Sequence, residues 1–574
     1  MVKRGEIFHI IVLFRGGNVM TEVYQAILFD TRSIQRYIYT GNRLKTNIGA
    51  SYLVKHVFSD ILVPVLEQDY TVDADSWRNC FPVEKLKLEK QAVFAANGGG
   101  NACVIFSADV TADDLRKVSA AFSRTLLVKL PGLHIGAAIG SMRLGEEYFQ
   151  KDLGELFRKL KDNQVKVFPQ VSIPYTGLTL RCPVNGEVAN FYDREGNILK
   201  GGQNFCSQET AIKTKSAEDA QQELEEAISE TSDLCQRYTF PMEFEELGQI
   251  RDDKNFFAIV HIDGNNMGEK FRGTKTQQER SHLSDQVQKK TWGCFLSLLE
   301  SIDAEYDRYL SNGILDLGGK SHGKQKGKPY LPIRPLVIGG DDVTFVCPAQ
   351  MAIPYAKRFM EAMSDDGSVS GIEDERAKRI DSCAGIAILK TTYPFFRGYT
   401  LAEQLCDAAK DEMRARRASV GDSCWLDFAI LHGEQAPTLE AIRAQEYTGA
   451  QGCEGGLHFG PYQVAHAGQK GSEKEHRKDI ENLLEAVRQL QGSNGRKACM
   501  AHGKTKDLRL VLQRDAASIH QFLVQLGHLG QTLPNIPDWQ EYQKEGHLLF
   551  VAGETPYIDT IEMMEFLPKE DDLQ

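Results

Sequence analysis

Hydrophobic and polar positions along the chain repeat in the same order twice. The run Val23 to Asp30 is rich in apolar residues, closes on a carboxylate and reads as a strand. Leu53, Val54, Val57, Phe58, Ile61 and Leu62 then recur at helical spacing. Val93 to Phe106 reads as a hairpin around a glycine cluster, Ala112 to Leu127 as a helix and His134 to Ile139 as a strand. The second round runs from the strand Phe256 to Asp263 through a helix (Val287 to Leu310), a hairpin at Gly339, a helix (Tyr355 to Met363) and a strand (Cys383 to Leu389). From Asp30 to Gly100 is 70 positions and from Asp263 to Asp341 is 78, a difference that the basic stretch Lys320 to Lys328 can absorb. Strand, helix, hairpin, helix, strand in this order predicts a ferredoxin-like βαββαβ unit, made twice, and an α/β (α+β) fold class. The same order occurs in unrelated folds, so it says little about function by itself.

The two units fall at 22–165 and 241–432. Between them, 166–240 is polar and turn-rich and ends in an acidic helical run, Ala217 to Glu230. Beyond Leu431, Thr438 caps a helix, and apolar residues return at helical spacing from Ile480 to Leu490 and from Ala516 to Leu529, so 433–574 reads as a helical domain. The stretch Gly468 to Lys478 reads as a solvated loop, although lysines in such a run can also contact RNA phosphate. Residues 1–21 hold an apolar run, Ile7 to Phe14, without a small-residue cleavage pattern after it. Met20 is the expected natural start, and the leader a mis-called extension.

Composition narrows the picture further. A chain of 574 residues is too long for one core. Its net charge of -12 argues against wholesale coating of nucleic acid, so any RNA or nucleotide contact must come from local basic patches, and nothing strong points to direct DNA binding. No apolar run approaches the ~18 residues of a membrane span. The twelve cysteines lack paired spacing and suit reduced thiols, which places the protein in the cytoplasm.

Candidate chemistry gathers at two places. In Val337-Ile338-Gly339-Gly340-Asp341-Asp342-Val343-Thr344-Phe345, glycines form the turn of an apolar hairpin and two aspartates follow. The glycines let a large ligand approach the backbone, and exposed carboxylates at the tip offer hard oxygen ligands for Mg²⁺ or Mn²⁺. Gly-Gly-Asp-Asp alone fits a plain hairpin turn equally well. Upstream, however, the strand ending in Asp263 runs into Gly264-Asn265-Asn266-Met267-Gly268, a turn opening toward a helix. Two adjacent strands ending in carboxylates beside a helix start make a divalent-metal site next to a place for a triphosphate. That pair reads as a nucleotide-polymerising or nucleotide-cyclising centre, with Asp263 and Asp341 holding two ions, Asp342 a third ligand or a support behind them, and amides from Gly264 to Gly268 facing phosphate.

Together these motifs resemble the palm of nucleotidyl cyclases and, more closely, the large palm-domain subunits of type III CRISPR effector complexes. The stretches Phe29-Asp30-Thr31-Arg32-Ser33-Ile34-Gln35-Arg36-Tyr37-Ile38, Asn42-Arg43-Leu44, Gly49-Ala50-Ser51-Tyr52-Leu53-Val54, Asn97-Gly98-Gly99-Gly100-Asn101, Ser382-Cys383-Ala384-Gly385-Ile386-Ala387 and Ala408-Ala409-Lys410 are similar to that family as well. The resemblance implies two facing palms that share two nucleotides: ATP as substrate, cyclic oligoadenylate second messengers for antiviral defence as products, and guide RNA and smaller effector subunits as partners. It also implies a nucleotide pocket lined by Gly264, Asn265, Asn266, Met267, Gly268, Gly339, Gly340 and Lys410, and from the first palm by Gly98, Gly99, Gly100 and Asn101. Lys410 is a candidate phosphate contact, its other reading being a lysine on an exposed helix face. Gly100-Asn101 stands where Asp341-Asp342 stands, so the first palm keeps Asp30 but is expected to shape the pocket without catalysing.

Two features depart from the family pattern. A small zinc module often sits between the palms, yet this chain offers only Cys182, Cys206 and the more distant Cys235, so zinc is not expected. No His-Asp pair is adjacent anywhere and no N-terminal HD nuclease domain fits ahead of Val23, so DNA cleavage is not assigned. Three other readings stay open: a diguanylate-cyclase-like enzyme using GTP, a non-catalytic scaffold within a guide-RNA complex, and, with least support, a template-copying polymerase.

Overall fold

The computed structural model describes residues 22–78, 81–98, 100–165, 177–196, 198–199, 204–247, 256–311, 327–431, 438–449, 456–464, 476–492, 497–544 and 546–569. The expected leader, Gly99, and most of the basic stretches 320–328 and 468–478 lie outside the described residues.

The first sheet holds β1 (Tyr24–Arg32), β2 (Thr71–Asp73), β3 (Gln91–Gly98), β4 (Asn101–Phe106) and β5 (His134–Met142) in the order β2-β3-β4-β1-β5. A two-stranded ribbon, β6 (Phe191–Tyr192) and β7 (Phe205–Cys206), follows. The second sheet holds β8 (Phe256–Gly264), β9 (Arg334–Gly339), β10 (Asp342–Pro348), β11 (Ser382–Lys390), β12 (Cys424–Ile430) and β13 (Tyr462–Val464) in the order β13-β12-β11-β8-β10-β9. Within each unit the run β3-β4-β1-β5 or β9-β10-β8-β11 has one topology, every neighbour antiparallel. These are two ferredoxin-like sheets, as the alternation of elements predicts. The first gains β2 at one edge, and the second gains β12, parallel to β11, and β13 at the other. Both faces of central β8 are buried, which is why its sequence is a continuous apolar run rather than an alternating one.

Each unit carries one helix beyond βαββαβ. Phe149–Val165 follows β5 and buries Leu153, Leu156 and Leu160 on one face of the first sheet; Phe395–Val420 follows β11 in the same way. Local chemistry sets the boundaries: Thr111 accepts from the amide of Asp114 while the Asp114 carboxylate accepts from the amide of Thr111, starting the helix Ala112–Lys129. Two glycines permit contacts that no side chain would allow. A Cβ at Gly385 would stand 1.9 Å from the Ala402 carbonyl oxygen, and one at Gly49 would stand 1.7 Å from that of Lys213. Gly49 thereby seats the helix Leu44–Val57 on Gln208–Ser229, the acidic helix between the sheets.

One expectation needs correction. Leu44–Leu66 is a continuous helical run long and apolar enough by composition to cross a membrane. Its charges (Lys45, Lys55, Asp60) interrupt any simple apolar stretch, yet they cluster on one side and leave a wide apolar face. That face lies in the protein core, with Ile48, Val57, Phe58, Ile61 and Leu62 buried. The ten described cysteines are all free thiols, nine of them buried, which fits the reading from their spacing.

The two units dock reciprocally. Ser51, on the helix after β1, donates to the Leu336 carbonyl in β9. Gln277 and Ser281, on the helix after β8 (Gln277–Ser311), donate to the Ala95 carbonyl in β3. Leu336 and Ala95 are equivalent, each three residues before the glycine that closes its hairpin. The helix after the first strand of each unit therefore braces the hairpin of the other, as in a pseudo-twofold arrangement. These buried polar side chains also explain why the second long helix begins at Gln277 rather than Val287: apolar periodicity does not register an interface made with amides.

Beyond the second unit the chain is mostly helical, with Leu439–Glu446, Ile480–Gln491, His502–Leu512, Ala516–His528 and Tyr557–Met563. A buried ion cluster fixes this part to β12. His458 donates from Nε2 to Asp427 (2.8 Å) and from Nδ1 to Asp559 (3.2 Å). A neutral ring could donate from only one nitrogen, so two carboxylate partners require the imidazolium. Burial by itself would lower the His458 pKa, but the carboxylates of Asp559 and Asp427 outweigh it and raise it to about 10. Arg443 completes the neutralisation of Asp427, and Asp559 also accepts from Tyr462 Oη at 2.8 Å. His458→Gln should destabilise the protein by roughly 3–5 kcal/mol, because it leaves buried carboxylates short of their counter-charge. Since the folded pKa lies above the unfolded value, the stabilisation is complete below about pH 6.5 and is lost as pH rises toward 10. Calorimetric melting of the wild type and His458→Gln across pH 6–10 should show a gap that narrows with rising pH.

Candidate active site

The register of the second sheet assembles the site. Asp342, first residue of β10, pairs with Asp263 near the end of β8 and with Gly339 at the end of β9. A two-residue turn, Gly340-Asp341, closes the hairpin, and Gly340 has φ +61°, where a Cβ would be strained. Side chains alternate across a strand, so Asp263 and His261 share a face with Asp342 and Thr344, opposite them in register. Phe395–Val420 crosses that face and brings Tyr399, Glu403, Cys406 and Lys410, spaced as one helical stripe.

Electrostatics there are demanding. Asp341 is pushed up to about 7 by burial and by Asp263 beside it. Asp342 is pushed up to about 8 by burial, then by Asp263 and Asp341. Lys410 makes an ion pair with Asp263 Oδ2, with side chains 16% and 31% exposed. The pairing holds the Lys410 pKa above its ordinary value although burial works the other way. Beneath Asp342, burial lowers His261 to about 4, so the ring is neutral at pH 7; its Nδ1 bonds Thr344 Oγ1 at 3.1 Å and stands 3.4 Å from Asp342 Oδ1. The expectation of fully exposed tip carboxylates is thus too simple. The Asp342 side chain is 42% exposed, yet its Oδ1 is buried and has no hydrogen-bond partner among the protein atoms.

These features test the fit of a divalent cation. Three carboxylates stand within electrostatic reach of one another and of one lysine, and one of their oxygens is a buried acceptor without a donor. Hard oxygen donors short of positive charge suit Mg²⁺ or Mn²⁺. Among the described residues no three His, Cys, Asp or Glu side chains are gathered closely enough to cage an ion by themselves. Elsewhere, Cys182 and Cys206 lie in a small apolar cluster with Val184 and Leu199, while Cys235 lies in the main core.

The turn after β8 behaves differently from the reading of five amides facing phosphate. The Asn265 amide is taken by the Asp381 carbonyl (2.7 Å), and its buried side chain donates to the Ser423 carbonyl (3.2 Å). Asn266, at φ +59°, caps the short helix Met267–Arg272 and donates to Asp422 (3.1 Å), while Met267 is buried. Nothing stands within 4 Å of a Cβ built at Gly268, Gly339 or Gly340. By contrast, one at Gly264 would stand 2.8 Å from Asp341 Cβ. Gly264 is thus the seat of the hairpin, and Gly268, Gly339 and Gly340 border open space. Lys270 sits behind this turn, donating to the carbonyls of Arg376 and Arg379 at 2.8 Å each.

In the first sheet the same positions carry other residues. Asp30 pairs with Asn101, and Leu28 with Cys103, where Asp263 pairs with Asp342 and His261 with Thr344. Gln164, on the helix after β5, donates to Asp30 Oδ2 where Lys410 pairs with Asp263. Gly100, at φ +79°, takes the place of Asp341, and Gly98 faces open space. Sequence reading found the missing hairpin carboxylates, but not the exchange of lysine for glutamine or the apolar support under Asp30. Nor did it find His261, Thr344 and Thr291, whose hydroxyl donates to the Gly340 carbonyl. The period-two pattern of β8 and β10 was the available signal for the first two.

The fold and the site define a protein of two palms, of which the second alone has a carboxylate hairpin. The profile of the family described as Cas10/Cmr2, second palm domain, matches residues 256–418. The stretch that builds the site therefore carries a Cas10/Cmr2 second palm, and the resemblance to the large palm-domain subunits of type III CRISPR complexes holds at that level. No curated protein matches the chain. Among solved structures it is similar to a chain in the Csm1–Csm4 cassette in complex with cA4 (TM-score 0.52, 13% identity, 96% of this chain and 71% of that one). It is likewise similar to a chain in the cassette in complex with cA3 (TM-score 0.52, 14% identity, 96% and 71%) and in the one in complex with pppApA (TM-score 0.50, 14% identity, 96% and 71%). At such identities the likeness establishes a common fold.

Gly264→Ala should lower the melting temperature, because overpacking at a tight contact costs roughly 1–3 kcal/mol. Gly268→Ala should leave it unchanged or slightly raised. Equal losses in the two variants would contradict the division between seat and open space.

Proposed function

We propose that this protein is a palm-type, metal-dependent nucleotidyltransferase that makes cyclic oligoadenylates from ATP as second messengers in CRISPR-type antiviral defence. The observation that carries the reading is the contrast in register: Asp263 opposite Asp342, with Asp341 at the turn, against Asp30 opposite Asn101, with Gly100. The Cas10/Cmr2 match over 256–418 supports the palm, and neighbours in fold that hold cA3, cA4 and pppApA support the adenylate products. ATP over GTP rests on that likeness alone.

Asp263, Asp341 and Asp342 would hold two Mg²⁺ or Mn²⁺ ions, which when bound supply charge neutralisation on the triphosphate and activation of a ribose hydroxyl. The residues of the chain do the rest. Lys410, paired with Asp263, would present its ammonium to phosphate. Gly268, Gly339 and Gly340 leave room for the triphosphate to approach the backbone. From the first palm, Gly98, Gly100 and Asn101 would border the acceptor nucleotide, and Asp30, with Gln164 in place of a lysine, would hold no catalytic ion. A cytoplasmic location, and assembly with guide RNA and smaller effector subunits, belong to the same reading.

Incubation of the purified chain with each nucleoside triphosphate and Mn²⁺, followed by mass analysis, tests it. ATP alone should give 3′–5′-linked adenylates, and Asp341→Ala/Asp342→Ala should lose on the order of a thousandfold in rate, equivalent to several kcal/mol. Undiminished turnover in the double variant would remove the site assignment. Conversion of GTP to a cyclic dinucleotide, with ATP inert, would keep the palm chemistry and replace the product.

A further inference from the structure

The turn that carries Asp341 is held from outside its own sheet. Thr291, fully buried on the helix Gln277–Ser311, donates its hydroxyl to the Gly340 carbonyl. A helical threonine ordinarily turns that hydroxyl back to a carbonyl of its own helix; here it is committed to the hairpin. The carbonyl it meets belongs to the central peptide of the turn, which joins Gly340 to Asp341. The orientation of that peptide sets the φ of Asp341, and with it the direction of the side chain.

Such a peptide has two orientations. Gly340 has φ +61° and Asp341 is not among the residues of positive φ, the signs of a type II′ turn. Rotating the central peptide would give a type I′ turn and bring Asp341 to a positive φ, which aspartate tolerates better than most residues. The first palm has a tip of that other sign: Gly100, in the place of Asp341, has φ +79°. A Cβ there would stand 2.3 Å from Ile34 Cδ1. In the second palm the Asp341 side chain lies against Gly264, its Cβ 2.8 Å and its Oδ2 3.1 Å from a Cβ built at that glycine. Glycine at position 340 suits both turns, and its open side imposes no choice between them.

We propose that Thr291 is a positioning residue: its hydroxyl locks the Gly340–Asp341 peptide in the orientation that seats the Asp341 carboxylate against Gly264, and without it the turn samples the flipped form, in which the metal site is incomplete. This rests on the reading of Asp341 as a metal ligand. Groups that orient ligands from behind typically change metal affinity by about 10–100-fold. The same helix bonds Ala95 of the first palm through Gln277 and Ser281, so one rod holds the hairpins of both palms.

Mn²⁺ binding to the full, nucleotide-free chain, followed through the free-ion EPR signal, tests the proposal alongside thermal melting. Thr291→Val keeps the branched shape and loses the donor, and should bind Mn²⁺ roughly tenfold more weakly. Thr291→Ser keeps the donor and loses a buried methyl group, and should melt lower yet bind Mn²⁺ like the wild type. Asp341→Ala should weaken binding at least as much as Thr291→Val. The double variant Thr291→Val/Asp341→Ala should bind no more weakly than Asp341→Ala alone, since the hydroxyl acts through that carboxylate. Wild-type affinity in Thr291→Val, weakened binding in Thr291→Ser, or additive losses in the double variant would each overturn the proposal and leave the metal site standing. Should Thr291→Val fail to fold, Thr291→Ser carries the test: full affinity despite a lower melting temperature upholds the proposal, and weakened binding overturns it. If Asp341→Ala binds Mn²⁺ like the wild type, the metal reading itself fails and takes the proposal with it.

Discussion

Three carboxylates on one hairpin and its neighbouring strand cannot all stay ionised beside a single lysine, and much of the second palm is arranged around that constraint. Burial and mutual repulsion push Asp341 to about 7 and Asp342 to about 8. A protein selected for stability alone would not gather them, because like charges in a half-buried site raise the free energy of the folded state. The supporting structure is correspondingly firm. Gly264 seats the turn, Thr291 holds the Gly340 carbonyl from the long helix, and Lys410 covers Asp263. Positive charge from outside the chain would relieve such a site, and on the proposed reading bound divalent cations supply it.

The first palm shows what the same scaffold looks like with that constraint removed. Asp342, His261, Thr344 and Lys410 become Asn101, Leu28, Cys103 and Gln164 at matching register and helix positions. Every exchange lowers charge or polarity, and Asp30 is left with an amide for company. The backbone is kept, together with the reciprocal docking through Ser51 and through Gln277 and Ser281. Divergence of this kind gives one site with three carboxylates and a lysine and one with a single carboxylate, in units joined by equivalent contacts.

Much of this was legible in the sequence for a physical reason. Apolar runs ending in Asp263 and turning at Gly340 specify register, because a two-residue turn leaves no freedom in which residues pair and a slip of one would turn Asp342 to the other face. The repeat, the sheets and the lost carboxylates of the first hairpin follow from that. Interactions between distant segments were not legible. Lys410 could be placed on a helix but not against Asp263, and Gln277 looks like any polar surface residue until Ala95 is seen above it. The helix Phe149–Val165 was overlooked although Leu153, Leu156 and Leu160 have helical spacing, and with it the counterpart of Lys410. The amides after Asp263 misled because a turn before a helix start exposes donors only when no strand end competes for them, and here Asp381 does.

The central claim is that divergence between two equivalent palms leaves a single metal-competent site. Crystals of the full chain grown with Mn²⁺ and a non-hydrolysable ATP analogue, measured at the manganese absorption edge, test it most directly. Anomalous peaks confined to Asp263, Asp341 and Asp342, with Lys410 moved from Asp263 to the phosphates and none at Asp30, are the expected result. A peak on Asp30 and Asn101, or an empty second palm with Lys410 still on Asp263, would contradict it.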